Sequence, residues 1–254
     1  MKTPFLISGI FAAAATTVFA ATTPAFAFNV APNGSSVGVN SGDIGDFFEV
    51  NFDGNVEEND VEGLSGQALF RLDNWGLETI GGNQYTIASF FVNLTNTSTN
   101  PISSRISRLG FDTDPNIDEG ASSVNGTFNV ISDEKKTSFP NGVGAIEVCL
   151  IPGTGSCEGG PGGVDTGETG TFNLKLAFAN TSLTSLNLSN FHLRYQSITG
   201  TTFGTSGTGD GKVIASSTDA PEPLTILGTA IALGFGGVFH KEQQKQKLKQ
   251  QVKA

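Results

Sequence analysis

The sequence predicts an all-β protein: an antiparallel β-sandwich of jelly-roll type, preceded by a signal peptide and followed by a single C-terminal transmembrane helix. Three observations carry this. Short apolar stretches alternate residue by residue with polar ones, the period of a half-buried strand. Between them stand clusters of Gly, Asn, Ser, Asp and Thr, which break strands and build turns. No part of residues 28–220 holds a helical period, and the longer apolar runs lie at the two ends of the chain.

At the N-terminus, Lys2 precedes an apolar stretch from Phe5 to Ala20, then Thr22, Thr23, Pro24 and Ala25-Phe26-Ala27. That order is a secretory signal peptide, residues 1–27. The small residues Ala25 and Ala27 suit the narrow pockets of signal peptidase, so cleavage after Ala27 leaves Phe28 as the new N-terminus. A retained membrane anchor would need a longer apolar span.

The β-sandwich is expected over 28–200. Phe48, Val50 and Phe52 share one face of a strand, as do Ala68, Phe70 and Leu72. Phe172, Leu174, Leu176 and Phe178 form the cleanest alternation. Two segments change parity. Leu186 and Leu188 give way to Phe191, Leu193 and Tyr195, which requires a bulge near Ser189-Asn190. Tyr85 and Ile87 give way to Phe90, Val92 and Leu94 in the same manner. Further short strands are expected around 106–111, 124–131, 143–150 and 213–215.

Residues 153–170, with six glycines between Gly153 and Gly163, read as a long surface loop. Cys149 and Cys157, the only cysteines, flank its start. Export makes oxidation the default, so they are expected to form a structural disulfide. Residues 201–220 are small, polar and Gly-rich, and read as a flexible linker.

The segment 221–254 has three parts: Pro221-Glu222-Pro223, an apolar run over 224–239, and a basic tail over 240–254. The run is about 24 Å long as a helix, enough to span a bilayer when the flanking lysines snorkel. Lys241, Lys245, Lys247, Lys249 and Lys253 outweigh the single Glu242, so the tail is expected to stay in the cytoplasm with the bulk of the chain facing outward. With Leu224-Thr225-Ile226-Leu227-Gly228 and Ala232-Leu233-Gly234-Phe235-Gly236 in the run, this segment resembles the PEP-CTERM sorting tail. The resemblance implies that an exosortase-type membrane enzyme recognises Pro221-Glu222-Pro223 and processes the protein during export, often in cells that make extracellular polysaccharide. The tail here is longer and richer in Gln than the short Arg-rich ending usual in that family. The paired cysteines and the stretch Asn190-Phe191-His192-Leu193-Arg194-Tyr195-Gln196-Ser197-Ile198 also resemble the cyanobacterial cistern family of PEP-CTERM proteins, a resemblance that supplies no activity.

Charge narrows the partners. Setting aside Glu222 and Glu242 from 24 acidic residues, and Lys2 and the five tail lysines from 14 basic ones, leaves 22 against 8 in residues 28–220. Such a surface repels nucleic acid and favours solubility or divalent cations. Asp112, Asp114, Asn116 and Asp118 alternate like the early ligands of a calcium loop, the one metal possibility in the chain. However, Ile117 stands where that loop needs Gly, and Ser123 where it needs a bidentate Glu. Asp53, Glu57, Glu58, Asp60 and Glu62 read as a charged loop.

Catalytic signatures are sparse. His192, the only histidine of residues 28–220, falls with Arg194 and Gln196 on the polar side of its strand and reads as a surface residue. No Gly-x-Ser-x-Gly elbow is present, and both cysteines are assigned to the bridge. Trp75 could serve as a stacking platform for sugar, although its place at a strand end suits a core rim. The expectation is therefore an exported structural or adhesive protein of the cell surface or extracellular matrix, without catalysis or a cofactor. A carbohydrate-binding module acting on extracellular polysaccharide is the alternative, followed by a secreted hydrolase.

Overall fold

The structure is a computed structural model and describes residues 28–132 and 137–214. The signal peptide with Ala25 and Ala27, the Pro221-Glu222-Pro223 motif, the apolar run 224–239 and the basic tail lie outside the described residues. Among the described residues no helix is long and apolar enough to cross a membrane. Their helical content is a single 3-10 turn, Ser41–Asp43.

The architecture is the expected one at the level of class: all-β and antiparallel. The principal strands are β1 (Ser36–Asn40), β2 (Phe47–Phe52), β3 (Gly66–Ile80), β4 (Asn83–Asn96), β5 (Ser103–Asp114), β6 (Ser123–Gly126), β7 (Val148–Ile151), β8 (Val164–Asp165), β9 (Thr169–Phe178), β10 (Ser185–Thr199) and β11 (Ser206–Ile214). They form one continuous sheet, from the short strand Val130–Ile131 through β7, β5, β10, β11, β2, β3, β4 and β9 to β6. The sheet curls until it nearly closes, with Val130–Ile131 beside β6. β1 and β8 attach to it off this path, on β10 and β5.

One half of the sheet, β2-β3-β4-β9, therefore faces the other, β7-β5-β10. Within the first half β2, β3 and β4 run as a meander, and β3 and β4 turn through Gly81-Gly82, both at positive φ.

The alternation read from the sequence is the burial pattern observed. Phe48, Val50 and Phe52 on β2, Ala68, Phe70 and Leu72 on β3, and Phe172, Leu174, Leu176 and Phe178 on β9 are all buried. The bulge expected near Ser189-Asn190 is present: the β10–β5 register slips between Ser189 and His192, and Asn190 takes a positive φ of 53°. The slip carries Phe191, Leu193 and Tyr195 to the face already used by Leu186 and Leu188.

Phe70 lies at the centre of the core. Its ring stacks on Phe48 at 5.0 Å and meets Phe90, Phe111 and Phe191 edge-on at 5.8–6.3 Å. Phe111 and Phe191 come from β5 and β10, so the two halves of the sheet close on this ring. Phe28 joins the same cluster through Phe48 at 5.2 Å.

Two expectations are corrected. Tyr85 and Ile87 do not mark a bend in β4, whose pairing with β9 runs without a slip from Thr86 to Thr95. They point away from the main core, and their parity is apolar because a separate small cluster with Ala121, Ala177 and Ile80 covers them. The register shift in this region belongs to β3, between Leu72 and Asn74.

The segment 201–220, read as a flexible linker, supplies β11. Its first part pairs with β10 and its last part with β2, so this strand joins the two halves. The glycines that suggested flexibility serve close packing. A Cβ on Gly209 would collide with the Asp53 carbonyl, and one on Gly211 would stand 2.7 Å from Phe191 and Phe52.

Replacing Phe70 by Ala removes the ring on which both halves close. We expect a loss of about 3–5 kcal/mol in chemical denaturation. Loss below about 1 kcal/mol would show that the halves are held together elsewhere.

Candidate functional site

The inner face of the β7-β5-β10 half is apolar, so its chemistry is on the outer face. Residues 137–147 and 152–163 fold back over that face as a cap, whose apolar cluster joins Phe139, Ile146 and Cys157 to Cys149 and Ile151 of β7, with Val143 against it. The expected disulfide between Cys149 and Cys157 is formed and ties this cap. Gly110 on β5 lets Ile146 and Phe139 approach the sheet, since a Cβ there would lie 3.0–3.1 Å from both.

Beneath the cap runs a row of polar side chains. β10 contributes His192 and Arg194, both less than a tenth exposed. The expectation of a surface histidine is thus corrected. The alternation placed His192 correctly on the polar side, but that side is covered, and the Phe139 ring lies 5.9 Å from the imidazole. β5 contributes Arg105 and Arg108. Three residues apart, they would face opposite ways on a regular strand, but an extra residue at Ser107 shifts the register between Arg108 and Ile106 and brings both to one side.

The guanidiniums are held by main-chain oxygens of the glycine-rich loop. Arg108 Nε donates to Ser156 O at 2.6 Å, Arg194 Nε to Glu158 O at 3.0 Å and Arg105 Nη2 to Gly160 O at 3.1 Å. Arg108 also donates to Ser107 O, and Arg194 to Gly207 O and Ser206 Oγ. Arg108 is fully buried, and burial, together with the neighbouring Arg105 and Arg194 charges, pulls its pKa down to about 10. The sequence reading gave Arg105 and Arg108 no role. The available signal is that Arg108 and Arg194 fall on stretches whose pattern predicts strands, with Arg105 at the edge of the first.

Further along the row, His192 Nε2 lies 2.8 Å from Asn190 Oδ1, and Nδ1 lies 2.9 Å from Asp210 Oδ1 without the direction of a hydrogen bond. Burial lowers the imidazole pKa, and Asp210, Asp112 and Asp53 offset this only in part. Asp210 is mostly in water, where its charge is screened.

A cleft of about 860 Å³ is lined by Asp112, Asn116, Asp118, Glu119 and Glu147. These include three of the four residues with calcium-like spacing. Asp114 is not with them: it lines a separate groove with Asn29, Asn40 and Asn187. Asp112, Asp118 and Glu147 are occupied by the protein's own donors. Asp112 accepts from the Glu147 amide at 2.9 Å and from Asn190 Nδ2 at 2.8 Å. Asp118 accepts from Tyr85 Oη and the Ala121 amide, both at 3.2 Å. Glu147 accepts from the Thr113 amide and hydroxyl and from the Ile117 amide, at 2.7–2.9 Å, and so pins the turn after β5. Among the described residues no three His, Cys, Asp or Glu side chains stand together as a metal-holding group.

Trp75 lies on the β3–β4 hairpin, half-buried against the rim of the main core. Comparison with family models, with curated proteins and with solved structures finds no match.

Two measurements follow from this geometry. Because His192 is neutral when buried, stability should hold above its ordinary pKa of about 6.5 and fall as pH drops from there through the lowered folded value. His192→Gln should flatten that acid limb, and a proton NMR titration should place the midpoint below 6.5. A midpoint above 6.5 would mean that the aspartates dominate. Separately, opening the short Cys149–Cys157 loop with Cys149→Ser and Cys157→Ser should cost about 2–3 kcal/mol in urea denaturation. A change near zero would show that the cap is held by its packing alone.

Proposed function

We propose that this chain is an exported, exosortase-sorted domain with a structural or adhesive, non-catalytic role at the cell surface or in the extracellular matrix. The observation that carries the reading is the place of the folded body along the chain. Phe28, the residue that cleavage after Ala27 would leave first, packs on Phe48 in the main core, and the last described strand ends at Ile214, a few residues before Pro221-Glu222-Pro223. A complete β-body therefore fits between the two processing points. We read its facing halves as a β-sandwich ectodomain.

The Cys149–Cys157 bridge suits an oxidising destination. Asp112, Asp118 and Glu147 in the acidic cleft hold backbone amides in place, which is a scaffolding use of acid groups. His192 faces Asn190 and Asp210, and the two cysteines are bonded to each other, so the histidine activates neither thiol. Signal peptidase and an exosortase-type enzyme are the processing partners of this reading, and the run 224–239 is its membrane contact. The acidic surface disfavours nucleic acid. Trp75, packed on the core rim, is a weaker platform for sugar than a fully exposed ring would be.

Intact-mass spectrometry of protein recovered from the cell surface and medium tests the reading. We expect Phe28 as the first residue and loss of the chain beyond the Pro221-Glu222-Pro223 motif. A mass that retains residues 224–254 would identify a plain membrane anchor and overturn exosortase sorting.

A further inference from the structure

Arg105, Arg108 and Arg194 stand together under the cap of a strongly acidic protein, yet among the described residues none of them reaches a carboxylate. The arginine that does form an ion pair is Arg71, with the exposed Asp73 at 2.6 Å. Buried charge is ordinarily paired, because removing an ion from water costs several kcal/mol that neutral carbonyls return only in part. Here the compensation is incomplete. Arg108 Nη2, on a fully buried residue, and Arg105 Nε, on a partly buried one, are enclosed without a hydrogen-bond partner among the described residues. An unmet donor on a buried cation is a site where an ion or water belongs.

The covering loop has the composition for close approach. Gly155 and Gly160 pack directly on Arg108 Nη2, where a Cβ would collide, and a Cβ on Gly159 would stand 2.5 Å from Gln196 Nε2. All three take positive φ. Ser156, Glu158 and Gly160 offer the guanidiniums only neutral carbonyls. A charged oxygen in their place would make hydrogen bonds about twice as strong, and guanidinium is the side chain best shaped to hold one.

We propose that Arg105, Arg108 and Arg194 form a binding site for a small inorganic oxyanion, sulfate or phosphate, beneath the glycine-rich loop. The ion enters from the Arg105 edge, the part of the cluster left partly open to solvent, and bridges Arg105 Nε and Arg108 Nη2 while displacing loop carbonyls. The acidic exterior favours a small ion over an anionic polymer, whose whole length it would repel. The site is independent of the sorting reading.

The test uses the four arginine side chains as reporters. In ¹⁵N-labelled protein spanning residues 28–220, titrated with inorganic sulfate or phosphate at constant ionic strength made up with chloride, the Nε–Hε signals of Arg105 and Arg108 should shift and saturate. That of Arg71 should stay in place. Arg105→Gln, at a partly exposed position, should weaken binding at least about tenfold without lowering the anion-free melting temperature. Shifts that never saturate, or that move all four arginines alike, would overturn the site. So would unchanged affinity in Arg105→Gln.

Discussion

The closure of the two sheet halves on Phe70 is the contact on which the remaining structure depends. Four phenylalanines surround that ring, two from its own half and two from the facing one. Each strand that supplies them must present its apolar parity inward and its polar parity outward. The bulge at Asn190 exists to satisfy this rule, since without it Phe191 would leave the cluster. Close approach also dictates glycine at 209 and 211, where β11 passes between the halves against Asp53, Phe52 and Phe191.

An apolar interior sends the chemistry to the outer faces, and there the two halves diverge. The disulfide-tied excursion covers the β5–β10 face, so His192, Arg108 and Arg194 are buried although their strand parity is polar. The two guanidinium charges are met by loop carbonyls, and burial keeps the imidazole neutral although the solvent-exposed Asp210 lies 2.9 Å away. The result is a cationic row within an acidic body. Elsewhere the acids act as staples: Glu147 gathers three donors from the turn after β5, and Asp112 receives the Glu147 amide. These carboxylate contacts fix the turn after β5, as the disulfide fixes the glycine-rich loop.

Much of this was legible in the sequence because it is local. Alternation is a property of neighbouring residues, so it located the buried faces of β2, β3, β9 and β10 and the parity reset at Ser189-Asn190. Cys149 and Cys157 are close enough in sequence for their pairing to be inferred. The Gly-rich run 201–211 misled because glycine has two opposite uses, freedom in a linker and close contact in a core. Composition cannot distinguish them. Tyr85 and Ile87 misled for a related reason, since a second cluster made both faces of one strand apolar.

By itself the sequence determined the class, the strand parities, the bridge and the two terminal segments whose order resembles a sorted surface protein. Only the tertiary structure decided which polar face is covered and which side chains meet there. Asp112, Asn116 and Asp118 share a cleft while Asp114 turns to another, a division their regular spacing concealed. Arg108 and Arg194 are 86 residues apart in the chain and directly paired across β5 and β10. Pairing at that separation is set by the register of the whole sheet, to which no local pattern of residues gives access.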